Sequence, residues 1–315
     1  MKSVAEILSE FSRFTVQHPA YKLAILRVME SIETTSELGE PASAMLLGEP
    51  GTGKSSVCKR IRNLLGDPRE EDRFEGRIKT MPCLYCNIQS NPTTKKLAEQ
   101  MLCGLGHFQQ PKSNRTLLDT VITLLCTCET KLVIIDEFQT LAEKGAAKTK
   151  SAVCDCIKTL LNESHIAILL SGIPSLEAIV DDNEQLSQRY PYRTRLQNLK
   201  YHYSKPDQMH SEWKMVLSKF SVAMCELGKL EDYVFLADEH FALATYVYCA
   251  GNMRGLRLLL NGAFKKALIR GDRTLTCEDF IKTADQIAFM GRIRPDINPF
   301  VTDDSELFRI LDKAS

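Results

Sequence analysis

A chain of 315 residues, 44% hydrophobic and 25% charged, has room for one large α/β domain and a smaller one, with the composition of an ordinary globular protein. Lys plus Arg and Asp plus Glu are equal at 40 each, so nucleic acid cannot be drawn in by global charge and any such contact falls to local basic clusters. Glu6 and Glu10 interrupt the first ten residues, no apolar h-region follows, and no apolar run is long enough for a bilayer. Neither a secretory signal nor a membrane span is expected, and the chain reads as soluble and cytoplasmic.

Residues 1–17 carry Val4, Ile7, Leu8, Phe11 and Phe14 on one helical stripe. Such a helix either packs on a core or serves as an arm for a partner. Pro19 opens a second helix, 20–34, which leads to a short buried strand, 44–47. Then come residues 48–55, GEPGTGKS, a full match to G-x-x-x-x-G-K-[ST]. Gly48, Gly51 and Gly53 let the backbone turn tightly, so that successive N–H groups face phosphate oxygens. The whole loop, with Glu49, Pro50 and Thr52, and Ser56 just beyond it, is the expected cradle for a nucleoside triphosphate. Lys54 would reach the β- and γ-phosphates, and the Ser55 hydroxyl would ligate Mg²⁺. A plain glycine-rich turn is the alternative, but the strand before and the helix after it, 55–65, are the context that phosphate binding requires.

A charged surface loop, 66–77, and a strand, 78–88, are expected next. Helices over 93–104 and 117–128 follow, separated by a polar loop, 107–116. Lys131-Leu132-Val133-Ile134-Ile135-Asp136-Glu137 is an apolar run ending in two carboxylates, the pattern of a Walker B strand buried on both faces. Asp136 would hold Mg²⁺, directly or through water, and Glu137 would polarise the attacking water. Having both acids favours a hydrolase over a small-molecule kinase, which needs no base for water. A helix over 147–163 leads to a strand, 166–172, whose polar end, Ser171, would sense the γ-phosphate if this strand neighbours Walker B. The other reading is a strand that simply ends in Ser-Gly. A last core strand is expected over 195–203.

Beyond residue 205 the strand signals stop. Helical patterns run over 213–227, 238–250, 253–270 and 277–290, the last preceded by the N-cap candidate Thr276. Residues 291–315 open with Arg292, Arg294, Pro295 and Pro299 and read as a tail with one short helical pattern, 305–311. The expected organisation is a helix or arm over 1–17, an α/β nucleotide-binding domain over 18–204, a helical lid over 205–290 and a tail over 291–315. Eleven cysteines, an odd number without a secretory signal, argue against disulfides. Cys83 and Cys86 fall on opposite faces of a strand, and Cys126/Cys128 and Cys154/Cys156 stand two apart on helices, so these read as small core residues rather than zinc ligands.

A P-loop α/β domain with a parallel sheet, helices on both faces and a small helical lid is the AAA+ arrangement. Gly251-Asn252-Met253-Arg254, opening a lid helix, resembles the sensor-2 motif of initiator-type AAA+ proteins, which implies that Arg254 contacts the nucleotide. The core is similar to the TniB/TnsC family of transposition regulators over about residues 15 to 290. His18-Pro19, Ile135-Asp136-Glu137, Ser171-Gly172-Ile173-Pro174 and Glu184-Gln185-Leu186-Ser187-Gln188-Arg189-Tyr190 carry that resemblance. The Walker B continuation, Phe138-Gln139-Thr140-Leu141, departs from the commoner start.

The resemblance implies an ATP- and Mg²⁺-dependent ATPase that assembles on double-stranded DNA as a homo-oligomeric ring or helical filament. It further implies recruitment and activation of transposase subunits, with a TniQ-type adaptor in some elements. Arg189 would be the arginine finger reaching the neighbouring subunit's γ-phosphate, with Arg193 the second candidate. DNA contacts would come from Lys95 and Lys96 at one helix start and from Lys112, Asn114, Arg115 and Thr116 before the next, largely without sequence preference. Two other classes share the nucleotide motifs: a replication initiator or helicase loader, and a nucleotide-gated signalling scaffold that binds no DNA.

Overall fold

The computed structural model describes residues 2–73, 76–88, 93–106, 116–140, 147–201, 212–231, 236–289, 291, 293 and 297–314. They fall into two units, Pro19–Leu196 and the discontinuous pair Met1–His18 with Gln197–Ser315. The chain opens with α1 (Val4–Arg13), which belongs to the discontinuous unit.

The continuous unit follows as α2 (Pro19–Leu38), β1 (Ala44–Gly48), α3 (Lys54–Leu65), β2 (Arg69–Arg73), β3 (Gly76–Thr80), β4 (Cys83–Asn87), α4 (Thr94–Gly104) and α5 (Leu117–Thr127). It is completed by β5 (Leu132–Asp136), α6 (Ala147–Ser164), β6 (Ala167–Gly172), α7 (Leu176–Asp181), α8 (Glu184–Ser187) and β7 (Tyr192–Leu196). Five strands form one parallel sheet in the order β4-β5-β6-β1-β7. The central strands read as unbroken apolar runs because helices cover both faces. Leu46, Ile134 and Leu169 point into a core with Tyr21 of α2 and Val57 and Ile61 of α3. Their alternates, Leu47, Ile135 and Leu170, point into a second core with α4, α5 and α6. Cys83 and Cys86 follow the same alternation and lie in these two different cores.

Three expectations for this unit are corrected. The charged segment 66–77 is not simply a loop: β2 and β3 pair antiparallel, Arg69 opposite Thr80. Arg69, Glu70 and Asp72 of the first ribbon strand are exposed, so it carries charge in place of the apolar alternation that marks a half-buried strand. The expected strand over 78–88 breaks at Met81-Pro82, where proline has no N–H to give a ladder, and Met81 N instead donates to Cys128 O at 2.7 Å. The last sheet strand is Tyr192–Leu196, not 195–203, and Arg193 and Arg195 disguise it because an edge strand tolerates charge.

The discontinuous unit continues with α9 (Glu212–Gly228), α10 (Glu239–Cys249), α11 (Met253–Arg270), α12 (Cys277–Gln286), a 3₁₀ turn (Pro299–Val301) and α13 (Asp304–Ala314). The expected boundary at 204/205 lies outside the described residues. Trp213, with no exposed surface, donates its indole N–H to Ala242 O at 2.9 Å inside the core of this unit. α1 is no free arm here. Phe11 is 2% exposed and sits edge-on to Phe220 and Phe264, with ring centroids 5.9 and 5.2 Å apart. Arg257 ties the end of α1 by donating to Ser12 O at 2.6 Å and to Phe14 O. Nor is the C-terminal stretch a tail: Phe300, Leu307 and Leu311 are buried in the same core. Its apolar stripe is short, so the partners that cover it, rather than its own pattern, make it part of a core. No described helix is long and apolar enough to cross a membrane.

The packing of α1 gives a stability prediction. Phe11→Ala should destabilise the discontinuous unit by about 3–5 kcal/mol, the usual cost of emptying a buried phenylalanine site. Calorimetry would show this as a lowered Tm; an unchanged transition would return α1 to the status of an arm.

Candidate nucleotide-binding site

β1 delivers the chain to Gly48 at the C-terminal end of the sheet, and the loop turns there into α3. A Cβ on Gly48 would lie 2.6 Å from both Leu196 O and Thr52 Oγ1, so only glycine fits. Thr52 closes the turn by donating from Oγ1 to Glu49 O at 2.9 Å. Gly53, at φ 105°, is the N-cap of α3, and no side chain caps that helix among the described residues. The first-turn N–H groups have no intrahelical acceptors, so this end of the helix suits an anion. Tyr21 of α2 steadies it by donating to Ser56 O at 3.0 Å.

Lys54 is 7% exposed, and its ammonium donates to Gly48 O at 2.6 Å and to Glu49 O at 3.3 Å. Burial draws its pKa below the ordinary lysine value, while Glu137, Asp136 and Glu49 act to hold it up. One P-loop cation and the two Walker B carboxylates therefore share a local field, although they are more than 80 residues apart in sequence. Asp136 ends β5 and is 3% exposed. Its Oδ1 accepts from Glu137 N at 3.0 Å and its Oδ2 accepts from the Tyr85 hydroxyl at 2.8 Å.

Tyr85 is a site residue that sequence reasoning missed. Burial, together with its bond to Asp136, pushes its pKa well up, so it stays a donor that fixes the carboxylate. The Arg62 guanidinium lies over its ring, 5.4 Å from the centroid. The donor chemistry fits Mg²⁺, a hard cation that takes one or two protein oxygens and keeps waters. The Asp136 carboxylate and the Ser55 hydroxyl on the first turn of α3 would supply them.

β6 lies between β1 and β5, so Ser171 is on a strand next to Walker B, opposite Leu46 of β1. Its carbonyl accepts from Phe138 N at 3.1 Å. Its hydroxyl is fully buried beside the Cys58 thiol, whose pKa burial pushes up to about 12. Glu137 adopts φ 57°, the left-handed region that non-glycine residues rarely enter.

Arg189 and Arg193 lie at the other end of the sheet. The Arg189 carbonyl accepts from Ser43 N at 2.8 Å, beside the start of β1, so the length of that strand, about 16 Å, separates it from its own P-loop. Its side chain is one-third exposed and makes a long ion pair with Glu40 at 3.8 Å. Arg193 is committed: it donates to both Asp181 oxygens at 2.8 and 2.6 Å, to Ser187 Oγ at 2.8 Å and to Tyr190 O at 3.1 Å. In the other unit, Arg254 is exposed on the first turn of α11, where Asn252 caps the helix by accepting from Arg254 N at 3.0 Å and Gly255 N at 3.2 Å. A cation in a first turn opposes the helix dipole, so stability alone does not account for it.

Of the expected DNA contacts, Lys112, Asn114 and Arg115 lie outside the described residues. Lys95 and Lys96 are exposed at the start of α4, with Lys95 3.8 Å from Glu99. Thr116 is spent on capping: it accepts from Asp119 N at 3.2 Å, and Asp119 Oδ2 accepts from Thr116 N at 3.0 Å. That carboxylate makes the start of α5 a poorer phosphate site than its sequence suggests. α4 and α5 pack on one another, and Leu105, Gly106, Leu124 and Thr127 line one pocket, so both helices end together and run the same way. Among the described residues, no group of three His, Cys, Asp or Glu is placed to hold a metal ion.

The fold is similar to those of solved archaeal proteins. The ORC2 protein of Aeropyrum pernix matches at TM-score 0.57 and 17% identity, covering 87% of this chain and 68% of that one. Cdc6p of Pyrobaculum aerophilum matches at TM-score 0.59 and 15% identity over 87% and 69%. The A. pernix ORC1 protein, solved in complex with DNA, matches at TM-score 0.57 and 13% identity over 91% and 71%. No curated protein matches the chain. At such identities the likeness speaks for the fold alone, a parallel-sheet α/β core with a helical C-terminal region. The sequence itself carries the narrower kinship: a family described as "Bacterial TniB protein" matches residues 12–201, well over half the chain, and the protein belongs to it.

Proposed function

We propose that this protein is an ATP-dependent, DNA-binding regulator of transposition that oligomerises on duplex target DNA and recruits and activates a transposase. The observation that carries the reading is the gathering of Lys54, Asp136 and Glu137 beneath an uncapped helix N-terminus, in a chain of the TniB family. In this reading Mg²⁺ bound by Ser55 and Asp136 would neutralise phosphate charge, and Glu137 would accept a proton from the attacking water. Ser171 and Arg254 would report on the nucleotide, and Arg189 would complete the site of a second copy. The protein would work in the cytoplasm, with a TniQ-type adaptor as a further partner. Electron microscopy with duplex DNA, comparing ATP, a non-hydrolysable analogue and ADP, tests it: nucleotide-dependent rings or filaments support it, and ATP turnover without any DNA binding points instead to a signalling scaffold. The likeness to ORC and Cdc6 proteins favours a second reading, an initiator-type role, which would require preference for a particular duplex sequence.

For the DNA surface, replacing Lys95, Lys96, Lys112 and Arg115 with alanine should weaken binding to all duplexes alike. The slope of log K against log salt should flatten by about 1 for each phosphate contact removed. Salt titrations giving the unaltered slope would place the DNA surface elsewhere.

A further inference from the structure

Glu137 is not held by its backbone alone. Gln139, two residues on and 5% exposed, donates from Nε2 to Glu137 Oε2, while its Oε1 accepts from Ile173 N at 3.2 Å. Both ends of a buried amide are thus used, one on the acid that follows Walker B and one on the segment that leaves β6. Gly172 makes room for it, since a Cβ there would lie 2.3 Å from Gln139 Oε1. The left-handed backbone at Glu137 and the bond from Phe138 N to Ser171 O fix the same turn from its other side. A left-handed glutamate persists where its surroundings over-determine it, and this turn is such a place.

We propose that Gln139 is the positioning residue of the hydrolytic base. It engages one carboxylate oxygen of Glu137 and thereby sets the direction in which the second oxygen meets the attacking water. A flexible glutamate would visit several rotamers, and a displacement of about 1 Å in a reacting group can cost on the order of 100-fold in rate. A neutral amide suits the task, because it donates to the carboxylate without competing for the proton that the carboxylate must take. This inference rests on the reading of Glu137 as the base, and the experiment separates the two.

The full-length protein would be assayed with DNA for kcat and KM, and separately for the Kd of a fluorescent ATP analogue. Three variants are compared with wild type and with Glu137→Gln. Gln139→Leu removes both bonds, Gln139→Glu keeps the acceptor for Ile173 N–H but sets a second carboxylate against Glu137, and Gly172→Ala displaces the amide sterically. All three should lower kcat by roughly 10- to 100-fold, with nucleotide Kd within about twofold of wild type, the signature of an interaction felt only in the transition state. Gln139→Glu is decisive against a purely structural brace, since it retains the brace. Wild-type kcat in both Gln139 variants, alongside an inactive Glu137→Gln protein, would overturn the positioning role and leave the base assignment standing. Equal loss of nucleotide affinity and turnover in Gln139→Glu would also overturn it. Full activity in Glu137→Gln would remove the base assignment and this inference with it.

Discussion

Lys54→Ala protein should fail to bind ATP at concentrations that saturate the wild type, and with ATP it should lose nucleotide-dependent assembly on DNA. Lys54 is the cation that the P-loop itself contributes, it is nearly buried, and its ammonium is already aimed at the loop carbonyls Gly48 O and Glu49 O. Truncating one partner of a desolvated charge pair costs about 2–5 kcal/mol, which is roughly 30- to several-thousand-fold in Kd. The loss carries a second effect. Without the ammonium, Asp136 and Glu137 face the triphosphate with less compensating charge, so repulsion adds to the missing contact. Titration calorimetry or a fluorescent analogue would measure it. A Lys54→Ala protein that binds ATP as tightly as wild type would remove the P-loop assignment altogether.

The second large effect concerns Arg189 and needs two proteins. Arg189 lies at the far end of the sheet from its own P-loop, so a role in hydrolysis has to be played on another copy. Arg189→Ala protein should therefore bind ATP normally and hydrolyse it on the order of 10³-fold more slowly, the scale of a lost arginine finger. Mixing it with Lys54→Ala protein restores a complete site: one copy keeps a working P-loop, and its neighbour supplies Arg189. DNA-stimulated ATPase activity should partly return in the mixture while each protein alone stays inactive. Mixed assemblies on DNA without recovery would count against Arg189. Arg193 is the weaker substitute, because moving it means breaking a bidentate pair with Asp181 and the bond to Ser187.

What could be read from the sequence was the chemistry that backbone geometry dictates. The P-loop is legible because Gly48 and Gly53 stand where any side chain would clash or strain, and β5 because a strand covered on both faces must be apolar until it reaches the acids. The β2-β3 ribbon and β7 were less legible, since ribbon and edge strands can carry charge without burying it. Tyr85 could not be found by pattern at all, and Gln139 showed only as part of an unusual Walker B continuation, with no role attached. Their meaning comes from hydrogen bonds to Asp136, 51 residues away, and to Ile173, 34 residues away, and neither carries a sequence signature. α13 belongs to the same class: Leu307 and Leu311 acquire their role only from the core that encloses them.

The interrupted layout of the second unit has a consequence for biosynthesis. Residues 19–196 are contiguous, so the continuous unit can complete its sheet as soon as β7 has left the ribosome. α1 emerges earlier but has to wait, because Phe220 and Phe264, the rings that enclose Phe11, are made more than 200 residues later. At 5–20 residues per second that interval is roughly 10–40 s. Throughout it, Ile7, Leu8 and Phe11 of that helix, with Phe14 just past its end, lack the core of their own unit, and the nascent chain offers them to whatever holdase is at hand.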